Sequence, residues 1–270
     1  MKLAIGCIFF FLTAAAFATE SLHPVLPPST RANIEGTVEL DDDIYSFDTK
    51  VSAEFAPIAR FSLYADASFR FLSYSYEYSS KGYVHNYCNL HVNGFNETYL
   101  GMRGLLYKNI GLDWSWRLPP GEGSQLQRFH RMSIEPFTYL QFSRNLVLGT
   151  SMRYNWFLED KNYKPGNEIG MKASFVWNFA WNDSLNTGWK FSETALYQTR
   201  LQDSENRNLD KRYRKMDDKY SGFKMRFDIS RTFNLSGFPL SLGFDYEIHK
   251  GTLFGFETGH RIGVYLQAIN

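Results

Sequence analysis

The stretch from Tyr45 to Phe71 constrains the fold most, because it holds two consecutive runs in which apolar and polar residues alternate strictly. A period of two is the pattern of a β-strand with one apolar face and excludes an amphipathic helix. The short link Ala56 to Ala59 separates the two runs, so together they predict an antiparallel hairpin. Both a soluble sheet and the wall of a transmembrane β-barrel have such faces, and the rest of the chain must distinguish them.

The N-terminus has the organisation of a secretory signal peptide over residues 1–18. Lys2 supplies the positive charge, Ile5 to Phe17 form the apolar core, and Ala16-Phe17-Ala18 predicts cleavage before Thr19. Residues 19–30 contain three prolines and predict an extended periplasmic lead-in. After cleavage Cys88 is the single cysteine, which excludes an intramolecular disulfide.

Composition narrows the class further. A net charge of +1 argues against a nucleic-acid-binding protein, which normally needs a basic surface. After the signal peptide, no segment approaches the roughly 20 apolar residues of a membrane-spanning helix. An exported chain of this kind that enters a membrane must do so as a closed barrel, because every backbone polar group has to be paired.

Residues 31–270 predict about twelve strands of an all-β, antiparallel, up-and-down transmembrane barrel. Short turns and longer polar loops alternate between the strands, which is typical of outer-membrane barrels and not of soluble sandwiches. The short turns are at 57–59, 108–109, 143–145, 182–184 and 234–239, and the long loops are at 79–96, 119–130, 160–167 and 201–218. Two irregularities are expected: a bulge or weakened ladder at Pro136, and a bulge near Glu193, where the alternation slips.

This architecture resembles the bacterial outer-membrane β-barrel superfamily over essentially the whole mature chain. The terminal stretch from Arg261 to Asn270 is similar to the assembly signal of such proteins, although it ends in Asn270 instead of an aromatic residue. The resemblance implies the outer membrane of a Gram-negative bacterium as location. It also implies insertion by the barrel-assembly machinery and contact with outer-membrane lipid and lipopolysaccharide.

The polar face of the predicted strands would line the lumen with 11 basic and 10 acidic residues. The basic residues are Lys50, Arg60, Arg70, Arg103, Arg117, Arg153, Lys172, Lys190, Lys224, Arg226 and Arg261; the acidic ones are Glu35, Glu39, Asp48, Glu54, Asp66, Asp113, Glu135, Asp228, Asp245 and Glu247. Balanced charge predicts cross-strand ion pairs and not the one-signed lining of an anion or cation channel. A filled interior with a structural role and a narrow porin-like channel for small solutes both remain open, since twelve strands lie between the filled and the open barrels.

An outer-membrane hydrolase, phospholipase-like or protease-like, is the alternative function. Its candidate residues are Asp245, Glu247 and His249, at lumen-facing positions near the extracellular rim, where carboxylates could orient a histidine base. The His-Gln-Ser-Asn-Gly kind of motif of twelve-stranded outer-membrane phospholipases is absent from the sequence, so the sequence favours a protein that is not an enzyme.

No cofactor or metal is predicted. His85 and His91 flank Cys88 in the second external loop, but their spacing matches no standard zinc pattern. The basic residues between Asp203 and Lys219 are expected in a solvated loop, with contact to lipopolysaccharide phosphates as the alternative.

Overall fold

A computed structural model describes residues 22–41, 44–80, 83–118, 130–159, 163–206, 215–216, 221–251 and 256–269, so the predicted signal peptide lies outside the described residues. The strands are β1 (Arg31–Asp41), β2 (Ile44–Ile58), β3 (Phe61–Ser80), β4 (Tyr83–Tyr107), β5 (Ile110–Leu118), β6 (Arg131–Ser143), β7 (Leu146–Phe157), β8 (Tyr163–Lys164), β9 (Glu168–Asn182), β10 (Thr187–Arg200), β11 (Ser204–Asn206), β12 (Lys215–Met216), β13 (Ser221–Leu235), β14 (Phe238–Gly251) and β15 (Phe256–Ile269). Within the described ranges, no helix is long and apolar enough to span a membrane.

Twelve of the strands form one closed antiparallel barrel, as the sequence predicts. Around the wall they follow one another in chain order, and β1 closes the ring by pairing with both β2 and β15. The short strands β8, β11 and β12 form a separate small sheet. Closure leaves the barrel without a free sheet edge along the paired part of its wall, which is what a β-structure in hydrocarbon requires.

The barrel is apolar outside and polar inside. Phe47 is 37% exposed, whereas Asp48, the next residue along β2, is 1% exposed. The same inversion recurs around the wall: most exposed large side chains are apolar, and most buried side chains are polar or charged. A chain with this distribution needs a lipid environment around it, because so extensive an apolar surface would aggregate in water.

The tight turns within the described residues lie at one end of the barrel. Two-residue turns join β2 to β3, β4 to β5, β6 to β7 and β13 to β14, and a four-residue turn joins β9 to β10. Left-handed backbone at Lys108 and Asn186, and at the successive residues Ser236 and Gly237, reverses the chain there. Arg31, the first residue of β1, pairs with Ile269 of β15, so both ends of the barrel chain lie at this short-turn end.

The hairpin of β3 and β4 is longer than the sequence predicts. We expected a loop over residues 79–96, but β4 begins at Tyr83 and pairs with β3 up to Ser80, so this prediction is wrong. The pairing of β4 with β5 begins only at Thr98. The hairpin therefore continues beyond its neighbouring strand, held by its own ladder, where polar residues and Gly94 obscure the alternation in the sequence.

The two expected irregularities had different outcomes. At Pro136 the ladder between β6 and β7 is interrupted and then resumes in the same register, which confirms a weakened ladder. The bulge near Glu193 is wrong, because β10 keeps one register with β9 and β13 through this residue. The alternation only looks displaced in the sequence, since Glu193 lies on the outer face between the buried Ser192 and Thr194, while Leu196 is buried inside.

Candidate functional site in the barrel lumen

The structure places nearly all of the predicted lumen residues on the inner face of the wall. Five of these charged residues are each 2–6% exposed, although no hydrophobic core covers them: Lys50, Glu54, Arg117, Arg226 and Arg261. The others on the inner face are Glu35, Glu39, Asp48, Asp66, Arg70, Arg103, Asp113, Glu135, Arg153, Lys172, Lys190, Lys224, Asp228, Asp245 and Glu247. These side chains bury one another, because together they fill the lumen.

Arg60 is the exception and corrects the prediction. It lies in the turn between β2 and β3, is exposed, and donates from Nη2 to the carbonyl oxygen of Leu106 at 3.3 Å. The turn consists of Ala59 and Arg60, at the end of the link Ala56 to Ala59 that the sequence predicts, so Arg60 belongs to the rim of the barrel and not to the lumen wall.

In one half of the lumen, ion pairs join neighbouring strands and also strands that are not neighbours. Arg226 of β13 donates to Glu35 of β1 at 3.2 Å and to Asp245 of β14 at 3.1 Å. Arg261 of β15 reaches Asp48 of β2 at 3.1 Å, and Arg70 of β3 binds the same carboxylate at 2.8 Å. The pairs Arg226–Glu35 and Arg261–Asp48 bridge across intervening strands, so they stiffen the wall and narrow the bore at the same time.

The opposite half has a second charged cluster around Glu135 of β6. Lys172 of β9 and Arg153 of β7 lie 2.5 Å and 2.6 Å from its carboxylate oxygens, and the Ser151 hydroxyl donates to it at 2.6 Å. Nearby, Arg103 and the Tyr64 hydroxyl both donate to Asp113, at 2.8 Å and 2.6 Å. Each buried carboxylate thus has more than one donor, which is the condition for keeping it charged inside a protein.

Aromatic rings fill part of the lumen by lying against glycines of the neighbouring strand. Tyr64 covers Gly101 and Tyr265 covers Gly243, so closely that a Cβ at either glycine would overlap the ring. The Tyr265 hydroxyl then reaches Asp228 at 2.9 Å. The glycines are therefore needed for close packing inside the barrel.

The geometry around His249 does not favour the hydrolase hypothesis. The ring is 2% exposed, with Nε2 3.4 Å from Glu39 and Nδ1 4.0 Å from Glu247. The nearby Ser46 hydroxyl donates to Glu39, while Asp245 pairs with Arg226. A histidine base must reach a nucleophile or substrate, and this ring is enclosed by charged residues of the wall.

The most important departure from the sequence analysis is at residues 22–30, which we call the lumen segment. We expected residues 19–30 to be a periplasmic lead-in, but the lumen segment lies inside the barrel, with Leu22 and Val25 each 5% exposed. The Val25 amide donates to the Ser174 hydroxyl of β9 at 2.9 Å, and Arg103 donates to the Leu26 carbonyl at 3.5 Å. Local sequence pattern carries no signal for such a position, because the contacts join residues far apart in the chain.

The lumen segment divides two cavities. The first, of about 110 Å³, is lined mainly by charged residues and reaches the Glu135 cluster. The second, of about 170 Å³, lies between the segment and strands β10, β13 and β15, with Leu22, Pro24 and Leu26 on one side. His23, Arg31, Asn33 and Gln267 line both cavities and therefore stand between them. Each cavity is large enough for several water molecules.

Several inner-face residues were missed in the sequence. Arg131 and Glu168 are buried, and each lies one position before the strand start inferred from the sequence. Extending the alternation by one step, from Ser133 to Arg131 and from Gly170 to Glu168, would have found both. In the described part of the chain, no group of three or more potential metal ligands is present. For His85, Cys88 and His91 the backbone alone is described, and most of the basic loop from 203 to 219 lies outside the described residues.

Comparison with solved structures identifies the fold. An outer-membrane channel from Pseudomonas putida F1 matches with a TM-score of 0.58 and 8% identity, over 94% of this chain and 99% of that one. The chain has the outer-membrane β-barrel fold. The β-domain of the Bordetella autotransporter BrkA also matches, with a TM-score of 0.54 and 8% identity, over 91% of this chain and all of that domain (100%). No protein-family model matches the barrel, and no curated protein matches it in sequence.

Proposed function

We propose that the protein is a narrow outer-membrane channel for small solutes, with its short-turn end in the periplasm. The observation that carries this proposal is the polar lumen, in which two cavities lie on either side of one short segment. The polar groups around these cavities can hydrogen-bond to water or to a small solute. The likeness in fold to the Pseudomonas channel agrees with a transport role.

The lining favours small polar solutes without a strong preference for either sign of charge. Cavity-lining cations such as Lys172 and Arg153 are paired with Glu135, and Arg31 is paired with Glu54 at 2.6 Å. Paired charges offer hydrogen bonds to a passing solute but produce only a weak net field along the pore. The small volumes of the cavities, about 110 Å³ and 170 Å³, exclude large substrates, since each holds only a few water molecules.

Single-channel recording with the refolded protein in a planar lipid bilayer tests this proposal. We expect small conductance steps with weak ion selectivity in potassium chloride. Complete absence of steps, both in the native chain and in a chain lacking residues 22–29, would reject the channel. Identical mobility of boiled and unboiled protein on a gel would show that the sample had not formed a barrel, and refolding would then have to be repeated in another lipid before the recording counts.

A further inference from the structure

We propose that the lumen segment, residues 22–30, is a displaceable plug, which leaves its seat against β7 and β9 without any change in the barrel wall. The consequence for transport rests on the channel function proposed above. The displacement itself does not, and it can be measured separately.

The barrel is complete without the segment. None of residues 22–30 belongs to a strand, and β1 closes the barrel by pairing with β15 from Arg31 onward. No ladder hydrogen bond of the twelve barrel strands therefore has to break when the segment moves. This distinguishes it from a thirteenth strand, whose removal would open the sheet.

The segment is held by a small number of single contacts. At its base, the Ser29 amide donates to Glu54 at 3.3 Å, and the Thr30 hydroxyl accepts from the Ala56 amide at 3.1 Å. Deeper in the lumen, His23 Nε2 lies 3.1 Å from Lys50 Nζ, and the Val25 amide donates to Ser174. The base lies next to β1, so it can act as a hinge while the deeper part moves.

The wall residues that hold the segment have other partners in the wall. Glu54 also accepts from the Ser62 hydroxyl at 2.6 Å and pairs with Arg31. Arg103 is bound to Asp113 at 2.8 Å, and Lys50 lies 3.4 Å from Asp66. Glu54, Arg103 and Lys50 therefore each keep a partner when the segment departs, which removes the main penalty that would make docking permanent.

Gly149 of β7 provides the seat. A Cβ at this position would lie 2.6 Å from Val25 Cβ and 2.8 Å from the Val25 carbonyl oxygen. Glycine is unfavourable inside a strand, and in the middle of β7 it permits the close approach of this second backbone. Gly104 of β4 has no such neighbour, since its nearest atoms lie 3.8 Å away, and it is a matched control for substitutions.

Displacement would join the two cavities. His23 lines both and belongs to the segment, so its departure removes part of the partition that Arg31, Asn33 and Gln267 share with it. The result is one continuous polar space that is open toward the short-turn end.

The first experiment measures displacement in the refolded full chain with Cys7 and Cys88 replaced by serine and Val25→Cys as the single thiol. We expect slow reaction with a membrane-impermeant maleimide, and at least a tenfold faster reaction when Gly149→Val is added. Gly104→Val should leave the rate unchanged. A rate that Gly149→Val does not alter, in protein with heat-modifiable gel mobility, overturns the proposal.

The second experiment locks the segment. In the same cysteine-free chain, Val25→Cys with Ser174→Cys puts thiols on two residues that are in direct contact, since the Val25 backbone amide lies 2.9 Å from the Ser174 hydroxyl. We expect few or no conductance steps when the disulfide is oxidised, and restored steps when it is reduced. Equal conductance in both states shows that the docked segment does not block transport and overturns the plug. If labelling shows displacement but no variant conducts, the plug stands and the channel function falls.

Should Gly149→Val fail to fold, a conductance measurement on a chain lacking residues 22–29 takes the place of the labelling comparison. Loss of the segment must then raise the conductance at least severalfold over the native chain. A deletion that conducts like the native chain contradicts the plug.

Discussion

Arg226 of β13 binds Glu35 of β1 at 3.2 Å, although β14 and β15 separate the two strands in the wall. The same guanidinium holds Asp245 at 3.1 Å. Side chains of a small barrel converge toward its axis, so residues three strands apart can meet inside it. This one cation therefore joins the first strand of the barrel to two strands at its C-terminal end.

Substitution of Arg226 should destabilise the barrel strongly. Arg226→Ala leaves Glu35 and Asp245 buried without their principal cation, and breaking a buried ion pair costs about 3–5 kcal/mol. We expect a corresponding fall in the urea midpoint for unfolding from lipid vesicles, followed by tryptophan fluorescence. Arg144→Ala is the control: Arg144 is 91% exposed and lies 3.7 Å from the exposed Asp183, so a change of less than about 0.5 kcal/mol is expected. Equal midpoints for the two variants would show that the pairs across the lumen contribute no stability.

Substitution of Glu193 should have the opposite effect. Glu193 lies on the lipid-facing side of β10, between Phe175 and Phe227 of the neighbouring strands. A charged side chain at this depth is unfavourable, by less than the about 2–4 kcal/mol of a lysine or arginine. We expect Glu193→Leu to raise the free energy of unfolding in bilayers, whereas Glu135→Leu, inside the lumen, should lower it. If Glu193→Leu lowered the free energy of unfolding instead, Glu193 would have to make a polar contact and not face lipid.

Acidification should release the lumen segment through His23. This residue belongs to the segment and not to a spanning strand, and burial together with the charge of Lys50 lowers the pKa of its imidazole well below the usual value. The docked state therefore binds fewer protons than the free segment, so docking is fully favourable above the ordinary histidine pKa of about 6.5 and weakens as the pH falls below it. The charged residues that face His23 from the surrounding strands are Lys50, Arg226, Arg31 and Lys172, with Glu54, Asp66, Asp113, Glu135 and Asp228 in the same cavities.

Maleimide labelling of the Val25→Cys chain measures this effect. We expect faster labelling at pH about 5 than at pH about 7.5, a range above the ordinary carboxylate pKa values of about 4. Because maleimide reacts with the thiolate, rates are normalised to those of the unfolded chain at each pH. The additional change His23→Gln should abolish the remaining pH dependence, and a dependence that survives it would assign the effect to another group.

Neutralising Glu135 should make the pore prefer anions. Glu135→Gln removes the charge that balances Lys172 and Arg153, and both cations line the first cavity. In a chain lacking residues 22–29, we expect the reversal potential in a potassium chloride gradient to shift toward that of chloride. Asp183→Asn, in an exposed turn, should leave it unchanged. An unshifted Glu135→Gln variant would mean that ions pass elsewhere or not at all.

The wall of the barrel could be predicted because its determinants are local. In β2 and β3 the period of two assigns each residue to one face, and β10 ends at Arg200, directly before the predicted loop at 201–218. The tight turns also follow from short runs of residues. Most of the inner face was predictable for the same reason. The exceptions include Arg60, where the turn is shifted along the chain, and Arg131 and Glu168, which lie one position before the inferred strand starts.

The contents of the lumen were decided by tertiary structure. Nothing within residues 22–30 indicates that they enter the barrel, since Gly149, Ser174 and Lys50 receive them from strands that are far away in the chain. The sequence likewise shows that basic and acidic residues are balanced on the inner face. It does not show that Arg226 pairs with Glu35. The alternation of apolar and polar residues depends on the geometry of a single strand, and it can therefore be predicted from the sequence. Which side chains meet inside depends on the closure and curvature of the whole barrel, which no single strand contains.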